Sequence, residues 1–167
     1  EVRRPLTLRG SGQSVLDGSS TGTVLTIDAD RVTIDNLIVR DSGRRHTTED
    51  AGIKATGKGI VLQNLRTEDT LFGIELAICH GCRVEGVHVA GTAGDELRGD
   101  AIKVWYSHRV QITGNDVEGA RDLLIWYSDN VLVSGNTVRD SRYGFHFMNS
   151  NDGVVERNRL ENNSVAI

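Results

Sequence analysis

Val110-Gln111-Ile112-Thr113-Gly114-Asn115-Asp116-Val117 returns 21 residues later as Val131-Leu132-Val133-Ser134-Gly135-Asn136-Thr137-Val138. It returns again, more loosely, as Gly153-Val154-Val155-Glu156-Arg157-Asn158-Arg159-Leu160. Shorter copies stand earlier, at Val32-Thr33-Ile34-Asp35-Asn36-Leu37 and Val84-Glu85-Gly86-Val87. With Ile34, Leu62, Val84, Ile112, Val133 and Val155 taken as equivalent, the spacings are 28, 22, 28, 21 and 22. A basal period near 22 with alternating apolar residues is the length of one coil of a parallel β-helix. Helix-pair repeats need over ~30 residues and a helical periodicity, and neither is present. The leucine-rich alternative lacks leucines at its fixed offsets. The predicted fold is all-β: a right-handed, single-stranded parallel β-helix of about seven coils, the handedness following the general preference for right-handed crossovers.

Composition agrees. The chain of 167 residues has 19 glycines and one proline, which suits short strands joined by Gly and Asn turns and opposes a helical bundle. A net charge of -4 with ordinary apolar content excludes a disordered chain. There is no basic stripe for nucleic acid and no apolar run of the ~20 residues a membrane-spanning helix needs. Residues 1–167 are expected to form a single repeat domain, a segment of a longer chain, because strand patterns run up to both ends.

The columns carry more detail. Three residues after each anchor stand Leu37, Leu65 and Val87, then Asn115, Asn136 and Asn158. An apolar stack thus gives way to an asparagine stack, and buried asparagines are tolerable when each bonds the coils above and below. The alternative is a set of turn asparagines exposed to water. Two positions on, Val39, Thr67, Val89, Val117, Val138 and Leu160 form a second inward column. Extra residues fall at 41–50 (DSGRRHTTED) and 91–100 (GTAGDELRGD), after the same strand of two different coils. Insertions gathered on one side of a repeat mark a binding face, or else neutral loop growth.

The strand after those insertions runs Ile53-Lys54-Ala55, Ile74-Glu75-Leu76, Ile102-Lys103-Val104-Trp105, Leu123-Leu124-Ile125-Trp126 and Phe145-His146-Phe147-Met148. Alternation points Ile102, Val104, Leu123, Ile125, Phe145 and Phe147 inward, and Lys103, Trp105, Trp126, His146 and Met148 outward. Trp105, Trp126 and Lys103 are therefore the candidate binding face, with the insertions as its walls. His146 and Met148 lie two apart on one strand face. An imidazole with a soft thioether suits Cu(I), while packed, unliganded side chains are the plainer reading. Cys79-His80-Gly81-Cys82 is a single C-x-x-C. It is a weak metal signal, a local disulfide in an oxidising compartment, or two unconnected cysteines. His46, His88 and His108 have no partner at ligand spacing and read as surface residues.

A polysaccharide-active β-helix would need paired carboxylates or calcium-binding acids on this face. The outward column offers Glu75 alone, supplemented at most by Asp95, Glu96 and Asp100 from the second insertion. No catalytic residue is assigned, and a secreted carbohydrate-binding or lyase- or epimerase-like β-helix stands as the alternative.

The segment Arg142-Tyr143-Gly144-Phe145-His146-Phe147-Met148-Asn149-Ser150-Asn151-Asp152 resembles one that recurs in the NosD family. Pro5-Leu6-Thr7-Leu8-Arg9-Gly10, Asp50-Ala51-Gly52-Ile53, Leu71-Phe72-Gly73-Ile74, Asp100-Ala101-Ile102-Lys103-Val104-Trp105 and Gly119-Ala120-Arg121-Asp122 add to the likeness. Asn149 stands where the family often has Tyr and Leu123 where it often has Gly. The Cys79/Cys82 pair is no part of the family pattern. The resemblance implies a periplasmic, non-enzymatic copper-handling accessory for the copper site of nitrous oxide reductase. It would act with an ABC transporter and with copper-donor or reductase proteins, and would not itself span the membrane. Only His146 and Met148 carry that likeness to copper, as Cu(I), residue by residue.

Overall fold

A computed structural model of the chain describes residues 1–91 and 98–167. Among them there is no helix; twenty short strands are laid in three sheets, every pairing parallel. Two sheets have seven strands and the third has six, and each coil contributes one strand to each in turn. This is the parallel β-helix that the 22-residue period predicts. The anchors are register partners without exception: Ile34 pairs with Leu62, Leu62 with Val84, Val84 with Ile112, Ile112 with Val133 and Val133 with Val155. Val39, Thr67, Val89, Val117, Val138 and Leu160 form the second column, as expected.

The coil closes through corners that need a left-handed backbone. Between the first and second sheets that residue is Asn36, Asn64, Gly86, Gly114, Gly135 or Arg157, each with positive φ. Glycine at Gly114 and Gly135 adopts it without the steric cost an L side chain meets. Such sharp corners leave backbone amides without a strand partner, and side chains from neighbouring coils take them up.

The asparagine stack does this for the first corner. Asn115 Oδ1 accepts the Val87 amide at 2.9 Å, and Asn136 Oδ1 accepts both the backbone amide and the side-chain Nδ2 of Asn115 at 2.9 Å. Asn158 repeats the pattern on Asn136, at 2.8 and 3.0 Å. The amide nitrogens also donate to the Val84, Ile112 and Val133 carbonyls. Asn115 and Asn136 are buried and fully bonded, so the exposed-turn alternative falls. A second ladder runs along Ser107, Ser128 and Ser150. Their hydroxyls accept the amides of Cys79, Ser107 and Ser128 at 2.8, 2.9 and 3.0 Å.

The columns differ in how well they are satisfied. Thr67 stands between Val39 and Val89, and its buried hydroxyl has no hydrogen-bond partner among the described residues. Thr67→Val removes an unpaired hydroxyl at nearly constant volume and is expected to stabilise by about 1 kcal/mol. Asn136→Ala instead strips acceptors from Asn115 and is expected to destabilise by about 3 kcal/mol. Urea unfolding of the two variants, with opposite shifts of midpoint, checks both.

Candidate functional site

The outer face of the six-stranded sheet holds the chemistry-bearing residues. Its strands are Leu25–Asp28, Ala51–Lys58, Phe72–His80, Ile102–Trp105, Asp122–Trp126 and Tyr143–Met148. Register puts Lys54, Glu75, Lys103, Leu124 and His146 in one outward column. Trp105, Trp126 and Met148 make the column beside it. Both columns follow from alternation. Their accessibility does not.

Residues 41–50 lie over this face. Lys54 Nζ donates to the Thr48 carbonyl at 2.7 Å, and Lys103 Nζ donates to both carboxylate oxygens of Glu49 at 2.6 Å. Glu75 sits between the lysines, 3.1 Å from Lys54 and 3.4 Å from Lys103. The loop is held further by Arg45 on the buried Asp50, by Ser42 accepting the Leu71 amide, and by His46 edge-on to Phe72. Lys103, expected on an open binding face, is consequently 7% exposed and part of an ion-pair cluster. Burial pushes the Glu75 carboxyl up, against the pull of Lys103. Burial also works to raise Glu49, but the hydrogen bonds from Lys103 and Glu75 win and hold it below the usual range.

Glu49 and Glu75 thus form a carboxylate pair that the outward column alone did not contain. It is tied off by two lysines beneath a loop, an arrangement that anchors the loop. Asp95 and Glu96 lie outside the described residues. Asp100 is buried and bonded through both oxygens by Arg121 at 2.8 Å, and burial raises its carboxyl in spite of that partner.

Trp105 and Trp126 are half-buried rather than openly exposed. Trp105 meets Tyr106 edge-on at 4.9 Å, Trp126 stacks with Tyr127 at 5.5 Å, and the two tyrosines stack at 4.9 Å. The exposed aromatics are therefore Tyr106 and Tyr127, both at corners with positive φ.

Cys79 and Cys82 are joined in a disulfide, and both are fully buried. Their sulfurs carry no thiolate in this state, so the metal reading of the pair applies only to its reduced form. His108 is no isolated surface residue. It stacks on His80 at 5.2 Å, its amide donates to His80 Nδ1, and its own Nδ1 accepts the Asp129 amide. Burial, then the neighbouring His108, lowers the His80 pKa. His46 packs on Phe72, and His88 Nδ1 lies 3.1 Å from Asp116.

His146 is placed differently. Its Nδ1 lies 2.9 Å from Asp122 Oδ2, and the Tyr143 ring stacks on it with centroids 4.4 Å apart. Asp122 is 1% exposed and also accepts from Arg142 and from the Tyr143 amide. Burial works to raise Asp122, but the hydrogen bonds from Arg142 and His146 hold its carboxyl below the usual range. These contacts lie toward the start of the strand, whereas Met148 lies toward its end beside Trp126. Among the described residues no group of three or more His, Cys, Asp or Glu side chains could hold a metal ion. His146 and Met148 supply two donors of the kind Cu(I) takes, and a complete site needs more.

The model of one family, described as "periplasmic copper-binding protein (NosD)", matches residues 81–167, just over half of the chain. The chain belongs to the NosD family. All of Asp122, Arg142, Tyr143, His146 and Met148 lie within the matched residues. A curated relative, the "probable ABC transporter binding protein NosD" of Pseudomonas aeruginosa, is 28% identical over 125 residues. The alignment takes in 72% of this chain and 29% of that protein, so the chain spans under a third of its NosD relative. Among solved structures, tailspike protein 2 of Escherichia coli O157:H7 bacteriophage CAB120 matches 81% of this chain and 20% of its own. The TM-score is 0.63 at 18% identity, a likeness of fold alone. PfbA, a surface adhesin of Streptococcus pneumoniae, matches 87% of this chain and 58% of its own at a TM-score of 0.47 and 11% identity.

Sequence reasoning missed Asp122 and Glu49. Asp122 was within reach, because it precedes His146 by 24 residues, one coil plus the two residues that lead back along the strand. Glu49 carried no such signal, since an insertion has no period. Glu49→Gln unpins the loop. With the partial exposure of Glu49 discounted, about 1.4 kcal/mol of anchoring is lost. Trypsin cleavage after Arg44 or Arg45 is then expected to quicken roughly tenfold.

Proposed function

We propose that this stretch of β-helix handles Cu(I) as cargo in a periplasmic accessory protein that serves the copper site of nitrous oxide reductase. The observation that carries the reading is His146, oriented by Asp122 on the outer sheet face, within the residues matched by a family described as copper-binding. Met148 on the same strand adds a thioether, and such a two-donor site suits hand-over better than storage. The remaining donors come from a copper-donor protein or from the reductase as the ion is passed. No helix among the described residues is long and apolar enough to cross a membrane. The membrane partner in this reading is an ABC transporter, as the name of the P. aeruginosa relative suggests. The Cys79–Cys82 disulfide accords with an oxidising compartment such as the periplasm.

In this reading the protein is not an enzyme. Its rival, a carbohydrate-active β-helix, draws on the meeting of Glu49 and Glu75, but both carboxylates are engaged by lysines. Anaerobic Cu(I) titration against a competing chelator tests the copper reading. The wild type is expected to bind, and His146→Ala with Met148→Ala to bind at least tenfold more weakly while remaining folded. Equal affinity in that double variant would return both residues to packing roles. Cleavage of uronate polysaccharides by the wild type would favour the rival.

A further inference from the structure

The five histidines differ in what their Nδ1 atoms face, and the difference decides which ring nitrogen is free. His80 and His108 accept backbone amides at Nδ1, at 3.2 and 3.1 Å. A nitrogen that accepts an N–H bears no proton, so in these neutral rings the proton sits on Nε2 and neither nitrogen is open to a metal. His46 packs its ring on Phe72 and has no carboxylate among its described contacts. His88 faces Asp116, but that carboxylate is solvent-exposed and shared with Arg139.

His146 is the reverse of His80 and His108. Its Nδ1 faces an oxygen of Asp122, a buried carboxylate that also receives Arg142 Nε at 2.9 Å and the Tyr143 amide at 3.3 Å. An ionised carboxylate can only accept, so the Nδ1 of His146 must carry the proton. In the neutral ring Nε2 is then left with its lone pair. The stacked Tyr143 ring limits rotation about the last side-chain bond, and Arg142 holds both oxygens of the carboxylate, sharing Oδ2 with His146. Ligating histidines commonly donate their second ring N–H to a carboxylate, which sets the tautomer and raises the basicity of the ligating nitrogen.

We propose that Asp122 is a positioning residue that holds His146 in the Nδ1–H tautomer, so that Nε2 is the nitrogen offered to the copper cargo. The proposal rests on the copper reading of His146, but its structural half can be measured without metal. Arg142 acts one step further out, by orienting Asp122 and keeping it ionised. Of the histidines, His146 alone combines a buried carboxylate at Nδ1 with a ring stacked in place.

Long-range proton–nitrogen NMR of the metal-free protein at neutral pH reads the tautomer directly. His146 is expected as Nδ1–H, and His80 and His108 as Nε2–H. A wild-type His146 found as Nε2–H overturns the proposal, whatever its copper affinity. Asp122→Asn is expected to mix the tautomers and weaken Cu(I) binding at least tenfold with the fold retained. Asp122→Glu, which keeps a carboxylate, is expected to recover part of the loss. Should the wild-type tautomer be as expected while Asp122→Asn leaves Cu(I) affinity unchanged, Asp122 has no positioning role toward copper. A wild type that shows the Nδ1–H tautomer but takes up no Cu(I) sinks the copper reading and the cargo half of this proposal, while the tautomer assignment stands.

Discussion

Every strand in this molecule depends on the coil before it and the coil after it. A three-residue strand cannot bury an apolar face or close its own hydrogen bonds, so stability resides in the repetition of one register. The corners limit that repetition. Each needs a left-handed residue, and each leaves amides that the sheets do not reach. The asparagine and serine ladders answer the corner's demand, and the aliphatic columns then stack because the corners repeat. Where a coil departs from the pattern, as at Thr67, a polar atom is left without a partner among the described residues.

The same register builds the outer face. Residues 20 to 24 apart in the chain become neighbours on successive strands, which is how Arg142 and His146 both reach Asp122. The insertion at 41–50 breaks the period and so does what no coil can: it folds back over the sheet and sets Glu49 against Lys103, 54 residues away. One half of the face is thereby closed by ion pairs, while the half around His146 stays partly open.

This division explains what the sequence revealed. The anchors, both inward columns, the asparagine stack and the outward positions of Lys103, Trp105, Trp126, His146 and Met148 all follow from a period and an alternation, which survive in a single sequence. Burial of the outward residues does not follow, because it depends on where an aperiodic loop lies. Lys103 is the clearest case, outward by alternation yet buried under Glu49. The backbone partners of His80 and His108 were also hidden, whereas the Asp122 partner of His146 keeps to the coil period. The Nδ1 of His146 meets a carboxylate, and that of His108 accepts a backbone amide.

The asparagine and serine ladders have a direction. In each, a side chain of the later coil accepts an amide from the earlier one: Asn136 serves Asn115, and Ser128 serves Ser107. For a chain that emerges amino end first, a newly laid coil therefore waits with open amides until its successor arrives to cover them. Growth in that order leaves one unfinished edge at a time. Such an edge is short, and its exposure lasts only as long as the synthesis or translocation of about one further turn of the solenoid.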